Sequence, residues 1–191
     1  MHSIAVFCGS SRGKNPLFHQ LAAELGRTFA KRGITLVYGA GKVGLMGIMA
    51  DAALEAGGKV MGSIPSFMKE KEVCHTDLTE LYIVKSMHER KQLMAERADG
   101  FITLPGGFGT LDELFEILTW KQIQLHHKPV GLLNWNGYYD HLLTHIDHMI
   151  QEGYLKEVNR GLLTVANDLE TLLDAMEKAP RAFDTKWLDR T

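Results

Sequence analysis

The sequence predicts a Rossmann-like, doubly wound α/β fold: a mainly parallel sheet with helices on both faces. Three observations carry this. Short apolar runs alternate with amphipathic stretches along the chain. The runs are continuously apolar, as in strands covered on both faces. Three glycine-rich stretches follow such runs, at the strand ends where this architecture binds ligands.

Each element can be read in turn. Ile4–Cys8 is a strand, closed by Gly9-Ser10-Ser11. Pro16–Lys31 carries Leu17, Leu21, Leu25 and Phe29 at helical spacing and stops at Gly33. Ile34–Tyr38 is the second strand, Gly39–Gly44 a glycine loop, and Leu45–Ala56 a helix stopped by Gly57-Gly58. Lys59–Ile64 is a strand ending at Pro65, and Phe67–Leu78 is irregular and polar. Leu81–Val84 is a short strand, Met87–Ala98 a helix, and Phe101–Leu104 a strand. Gly106–Thr110 is a second glycine loop before a helix over Leu111–Leu125. Val130–Leu133 is a strand, Tyr138–Gln151 a helix, Leu162–Val165 a last strand and Leu169–Glu177 a last helix. Asp168 and Thr171 at its start are structural.

The 191 residues fit one domain spanning 1–191, with 180–191 a loop-like tail. A hydrophobic fraction of 45% and a charged fraction of 23% exclude disorder, collagen and coiled coil. The net charge of −2 gives no general electrostatic reason to bind nucleic acid or an anionic membrane, and neither is expected as a partner. Two cysteines, Cys8 and Cys74, make no disulfide framework and fit a reducing compartment. The N-terminus lacks the basic and long apolar regions of a signal peptide, and no apolar stretch is long enough to span a membrane. A cytoplasmic location is therefore expected.

The glycine loops differ in what they specify. Gly39-Ala40-Gly41-Lys42-Val43-Gly44 matches a dinucleotide fingerprint. The next strand ends Met61-Gly62-Ser63-Ile64-Pro65, without the acid that would hold a ribose, so a dinucleotide is disfavoured. Gly9–Lys14 is one residue short of a P-loop, and Asn15 stands where a magnesium-binding hydroxyl belongs. Leu104–Glu113 is more specific: three glycines in four residues, Gly106, Gly107 and Gly109, lie between a strand and a helix. Backbone amides at that helix start suit a phosphate, and Thr110 would cap the helix or donate its hydroxyl to that phosphate. The plainer alternative is a strand–helix turn with Glu113 as a capping-box acid. A site built from all three loops would include Gly9, Ser10, Gly39, Gly41, Gly44 and Gly106.

Pro105-Gly106-Gly107-Phe108-Gly109-Thr110-Leu111-Asp112-Glu113 resembles the PGGxGTxxE signature of the LOG ("Lonely Guy") family of cytokinin riboside 5′-monophosphate phosphoribohydrolases. Met87-His88-Glu89-Arg90-Lys91 resembles its M-x-x-R-K element. Tyr38–Gly47 resembles its YGGGxxGLMG loop, with Ala40 in place of one glycine. Lys128–Asn134 and Gly137-Tyr138-Tyr139 also look like the family, so the resemblance covers roughly Ile4 to Tyr154.

The resemblance implies hydrolysis of the N-glycosidic bond of an adenosine-type nucleoside 5′-monophosphate, N6-modified or plain, to free base and ribose 5-phosphate. Arg90 and Glu113 match the family's catalytic pair. Gly107, Phe108, Gly109, Thr110, Leu111, Asp112 and Glu113 fall on its substrate-binding positions, as do Arg90, Lys91, Glu72 and Thr119. The family is typically a homodimer. The chemistry suits these residue types: breaking a ribosyl C–N bond develops positive charge on the sugar, which a carboxylate can stabilise while it orients or deprotonates water. Arg90 could hold Glu113 ionised, bind phosphate or contact the departing base.

Other features have plainer readings. His141, His145 and His148 share a helical face, but no dedicated carboxylate accompanies them, so they form a surface or interface stripe and no metal or other cofactor is expected. Met46, Met49, Met61 and Met68 fill the core. The rival function is a non-catalytic carrier of a nucleotide or molybdenum cofactor, which needs the glycine loop but not the Arg90 and Glu113 pair.

Overall fold

The structure is a computed structural model, and it describes residues 1–69 and 74–179. Glu72 and the expected tail at 180–191 lie outside the described residues. Among the described residues the seven strands are β1 (Ser3–Phe7), β2 (Thr35–Tyr38), β3 (Val60–Pro65), β4 (Glu80–Val84), β5 (Gly100–Thr103), β6 (Val130–Leu133) and β7 (Leu163–Ala166). All pair in parallel, in the order β4-β3-β2-β1-β5-β6-β7. The chain winds outward from β1 to β4, then returns to β5 on the other side of β1.

The helices are α1 (Leu17–Arg32), α2 (Gly44–Glu55), α3 (Ser66–Lys69), α4 (Met87–Arg97), α5 (Phe108–Gln122), α6 (Asp140–Gln151), α7 (Glu157–Arg160) and α8 (Leu169–Lys178). Strand β1 shows how two cores arise from one apolar run. Ile4 and Val6 pack with Leu21, Met49 and Leu172 from α1, α2 and α8. Ala5 and Phe7 pack with Met94, Leu114 and Ile146 from α4, α5 and α6. Period-two alternation serves both faces because both are covered.

Local chemistry sets the boundaries. Gly33 ends α1 with φ 67°, the left-handed conformation of a C-terminal glycine. Ser86 caps α4 by accepting from the Glu89 amide, and Glu89 accepts in return from the Lys85 amide at 2.7 Å. Asp168 caps α8 by accepting from the Thr171 amide at 2.9 Å, the structural role expected of that pair.

Helix α7 was not expected and α5 ends at Gln122 rather than Leu125; three further departures lie nearer the loops. Helix α5 begins at Phe108, so Gly109 and Thr110 are helical rather than loop; Gly107 is the N-cap, and its carbonyl accepts from Leu111 at 3.1 Å. Helix α6 begins at Asp140 rather than Tyr138, because left-handed Asn136 and Gly137 form a separate turn held by Asn134. The segment expected to be irregular after Pro65 starts with the single turn of α3.

The winding reverses between β1 and β5, so the loops leaving them face each other across a crevice. The Gly9 amide donates to the Pro105 carbonyl at 3.1 Å and ties the two loops together. Among the described residues, no helix is long and apolar enough to cross a membrane.

Candidate active site

The crevice between the β1 and β5 loops opens into a cavity of about 320 Å³. Its floor is Cys8, Gly9 and Ser10 from the first loop and Gly107–Thr110 from the start of α5. Arg90 enters from α4, Asp112 and Glu113 from α5, and Met46, Met68 and Met87 supply apolar wall. Met46 fills the core as expected while bordering the cavity, whereas Met68, also expected as core filling, is only half-buried. A second hollow of about 290 Å³ shares Gly9, Ser10 and Gly107, and extends along Ser11, Arg12, Phe18 and Tyr138.

The N-terminus of α5 has no side-chain cap. This corrects two readings of the loop. Thr110 does not cap the helix, because Gly107 occupies that position and Thr110 lies three residues inside. Glu113 is likewise too far along to be a capping-box acid. The first-turn amides are left for a ligand.

The glycines of this loop divide by cause. A Cβ on Gly106 would stand 2.1 Å from Thr110 Oγ1 and 2.9 Å from the Gly9 amide, so packing alone demands glycine there. A Cβ on Gly107 or Gly109 would meet nothing within 4 Å, and neither has positive φ. Folding does not require glycine at those two positions, whereas a ligand pressed against the backbone does.

Glu113 is half-buried, and burial pushes its carboxyl up to about 7, against the lowering effect of Arg90 and with a further push from Asp112. A carboxylate in that range can take or give a proton near neutral pH. Burial, with Glu113 nearby, also pushes the Cys8 thiol upward and keeps it un-ionised.

Arg90 is 6% exposed. Its Nη2 donates to the Gly39 carbonyl at 3.1 Å, while its buried Nε has no protein partner. Arg90 and Glu113 share the cavity without forming an ion pair among the described residues; Arg90 influences Glu113 through space.

Lys91 points elsewhere. Its Nζ reaches Asp112 Oδ2 at 3.1 Å and Glu116 Oε1 at 3.0 Å, clamping α4 to α5. Burial works against its charge, but hydrogen bonds to Glu116 and Asp112 outweigh this and raise its pKa.

The remaining expected site residues separate by position. Gly39, Gly41 and Gly44 are buried beneath the cavity rather than lining it. Gly39 underlies Arg90, Gly41 meets Met46, and Gly44, at φ +67°, lies against the Ser10 backbone. Leu111 packs on the α4–α5–α6 core. Thr119, exposed on α5, lines a different groove with Phe115, Ile146 and Asn159. The three histidines of α6 are exposed, and no group of three residues fit to hold a metal occurs among the described residues. Tyr138 was not singled out as a site residue: its hydroxyl donates to the Gly106 carbonyl at 2.8 Å and braces the loop from behind. Its sequence signals are its place directly after a turn glycine and in the family-like Gly137-Tyr138-Tyr139.

The family model described as "Possible lysine decarboxylase" matches residues 46–176. A cytokinin riboside 5′-monophosphate phosphoribohydrolase of Arabidopsis thaliana is 45% identical over 181 residues, covering 95% of this chain and 83% of that protein. One from Rhodococcoides fascians is 48% identical over 175 residues, covering 91% and 88%. Among solved structures, the molybdenum cofactor carrier protein of Chlamydomonas reinhardtii superposes with a TM-score of 0.69 at 22% identity, covering 93% of this chain and 96% of its own. That likeness speaks for the fold alone. Identity near one half, sustained over nine-tenths of the length, goes further, and the chain belongs to the LOG family.

Proposed function

We propose that this protein hydrolyses the N-glycosidic bond of adenosine-type nucleoside 5′-monophosphates, plain or N6-modified, in the cytoplasm. The products are the free base and ribose 5-phosphate. The observation that carries this reading is a carboxyl group shifted to about 7 in the same cavity as an uncapped helix N-terminus. A carrier needs the second feature but has no use for the first. The relatives of known name are phosphoribohydrolases at 45% and 48% identity, whereas the molybdenum cofactor carrier shares 22%.

In this reading the 5′-phosphate lies on the amides of Gly107, Phe108 and Gly109, next to Ser10. The anomeric carbon then faces Glu113. As the C–N bond lengthens, positive charge grows on the ribose and the Glu113 carboxylate stabilises it. Water adds to the anomeric carbon, its proton passes to Glu113, and the departing base nitrogen receives that proton. Arg90 spends one N–H on the Gly39 carbonyl and one on the Met87 sulfur, so the remaining N–H groups of its fork are the donors for substrate. Thr119, which lines another groove, would serve a site only across a subunit interface, so a homodimer joined through the exposed faces of α4 and α5 is part of the proposal. Light scattering on the purified protein reads that state directly.

The decisive measurement compares kcat/KM for adenosine monophosphate with that for adenosine. Binding energy at a remote phosphate holds the reacting carbon in place, so adenosine should lose kcat as well as affinity. Comparable values for the two would mean that the glycine loop is only a turn, and the reading would fall.

A further inference from the structure

Four residues, Cys74–Asp77, cross the Gly39–Gly41 turn and do not line the cavity. Four contacts pin them there, one of them the ion pair of Lys42 with Asp77 at 3.7 Å. Cys74 bridges to Gly41 in antiparallel register. The His75 amide donates to the Ala40 carbonyl at 2.9 Å. The His75 ring, 2% exposed, meets Asp51 Oδ1 at 2.9 Å through Nε2. Because Nδ1 accepts from the Asp77 amide at 3.3 Å, the proton is assigned to Nε2, which donates to Asp51.

The turn beneath is under strain. Ala40 is fully buried with φ 58°, a left-handed conformation that is costly for a non-glycine residue. Such conformations persist where their surroundings over-determine them. Here the surroundings are Gly62 of β3 and the Cys74–Asp77 segment, and the residue before Ala40 offers its carbonyl to Arg90.

We propose that Asp51 and His75 are positioning residues for Arg90: by locking Cys74–Asp77 onto Ala40, they hold the strained turn and so fix the Gly39 carbonyl on which the guanidinium rests. The proposal rests on the hydrolytic reading of the site. Neither His75 nor Asp51 lines the cavity, so both act through Arg90. Asp51 is reached from α2 and His75 from the segment before β4, which makes the pair a tie between separate parts of the chain.

The experiment uses His75→Ala, His75→Gln and Asp51→Ala, each with and without Ala40→Gly, in the full chain. Steady-state hydrolysis of adenosine monophosphate and thermal unfolding are measured for all. Losing the ring should lower kcat roughly 10- to 100-fold, with a smaller change in KM, at temperatures where the variant is folded. His75→Gln, which keeps a donor for Asp51, should recover part of the loss. With Ala40→Gly the loss should shrink, because glycine adopts the turn without strain. A purely structural role would lower the unfolding temperature and leave kcat of the folded enzyme unchanged. Should His75→Ala fail to fold, Asp51→Ala, whose side chain is half exposed, carries the test. Retention of kcat within about twofold, or an identical loss in both backgrounds, overturns the proposal. A crystal structure of the variant reads the same point without activity: Arg90 should leave the Gly39 carbonyl, and an unmoved Arg90 refutes positioning. Wild-type protein that fails to hydrolyse the nucleotide would refute the hydrolytic reading instead.

Discussion

The guanidinium of Arg90 is seated on the backbone of Gly39. Its Nη2 donates to the Gly39 carbonyl at 3.1 Å, and a Cβ at position 39 would stand 1.7 Å from that nitrogen. The glycine loop after β2 therefore acts as the bed of an arginine. Gly39→Ala should displace Arg90 and lower kcat on the order of 100-fold, since a shift of about 1 Å at a reacting centre is enough for that. Steady-state kinetics check it; an alanine variant with wild-type turnover would show that Arg90 works from more than one position.

Glu113→Gln keeps the side chain's shape and removes its charge. Turnover should fall about 100- to 1000-fold. Stability should move the other way, with a defined pH dependence. The folded carboxyl titrates near 7, above its ordinary value of 4.5, so the folded state holds its proton more tightly than the unfolded chain does. That stabilisation is complete below about pH 4.5 and is lost as pH rises through 7. At pH 8 the glutamine variant should be more stable than wild type, on the order of 2 kcal/mol after allowing for partial exposure. The advantage should fade by pH 5. Urea titrations at the two pH values read this, and equal stability at both would refute the buried-carboxyl account.

Lys91→Met should act through Glu113. It removes a cation that lowers the Glu113 pKa and leaves Asp112 and Glu116, both of which raise it, without their shared partner. The rising limb of kcat/KM against pH should move to higher pH. The cost in stability should be small, about 1 kcal/mol, because Asp112 is exposed to solvent. A limb that stays in place would mean Lys91 serves the substrate directly.

Gly109→Ala separates folding from binding. The added methyl meets nothing, and the position is helical, so stability should hold or rise by up to about 1 kcal/mol. The same methyl would stand where a phosphate must touch the backbone, so kcat/KM for the nucleotide should fall. Unchanged kinetics would place the phosphate elsewhere.

Much of this was legible in the order of residues. Among the described residues, the apolar runs and their spacing mark all seven strands and the six longer helices, because those patterns are set by neighbours one to four positions away. Arg90 and Glu113 stood out because each lies in a short motif, and the structure brings both to one cavity. Folding alone settled what depends on distant partners. Helix α5 starts three residues earlier than its apolar periodicity suggests, because Thr110 is buried against Gly106 across the turn. Lys91, next to Arg90 in sequence, turns away to clamp Asp112 and Glu116, since residues one apart on a helix point about 100° from each other. Thr119 shares α5 with Glu113 but, six positions on, faces a different groove. Gly39 and Arg90 are 51 residues apart, and Asp51 and His75 belong to separate elements. Local periodicity specifies elements, but contacts like these exist only once the crossovers have carried β2, α2 and α4 to the same end of the sheet.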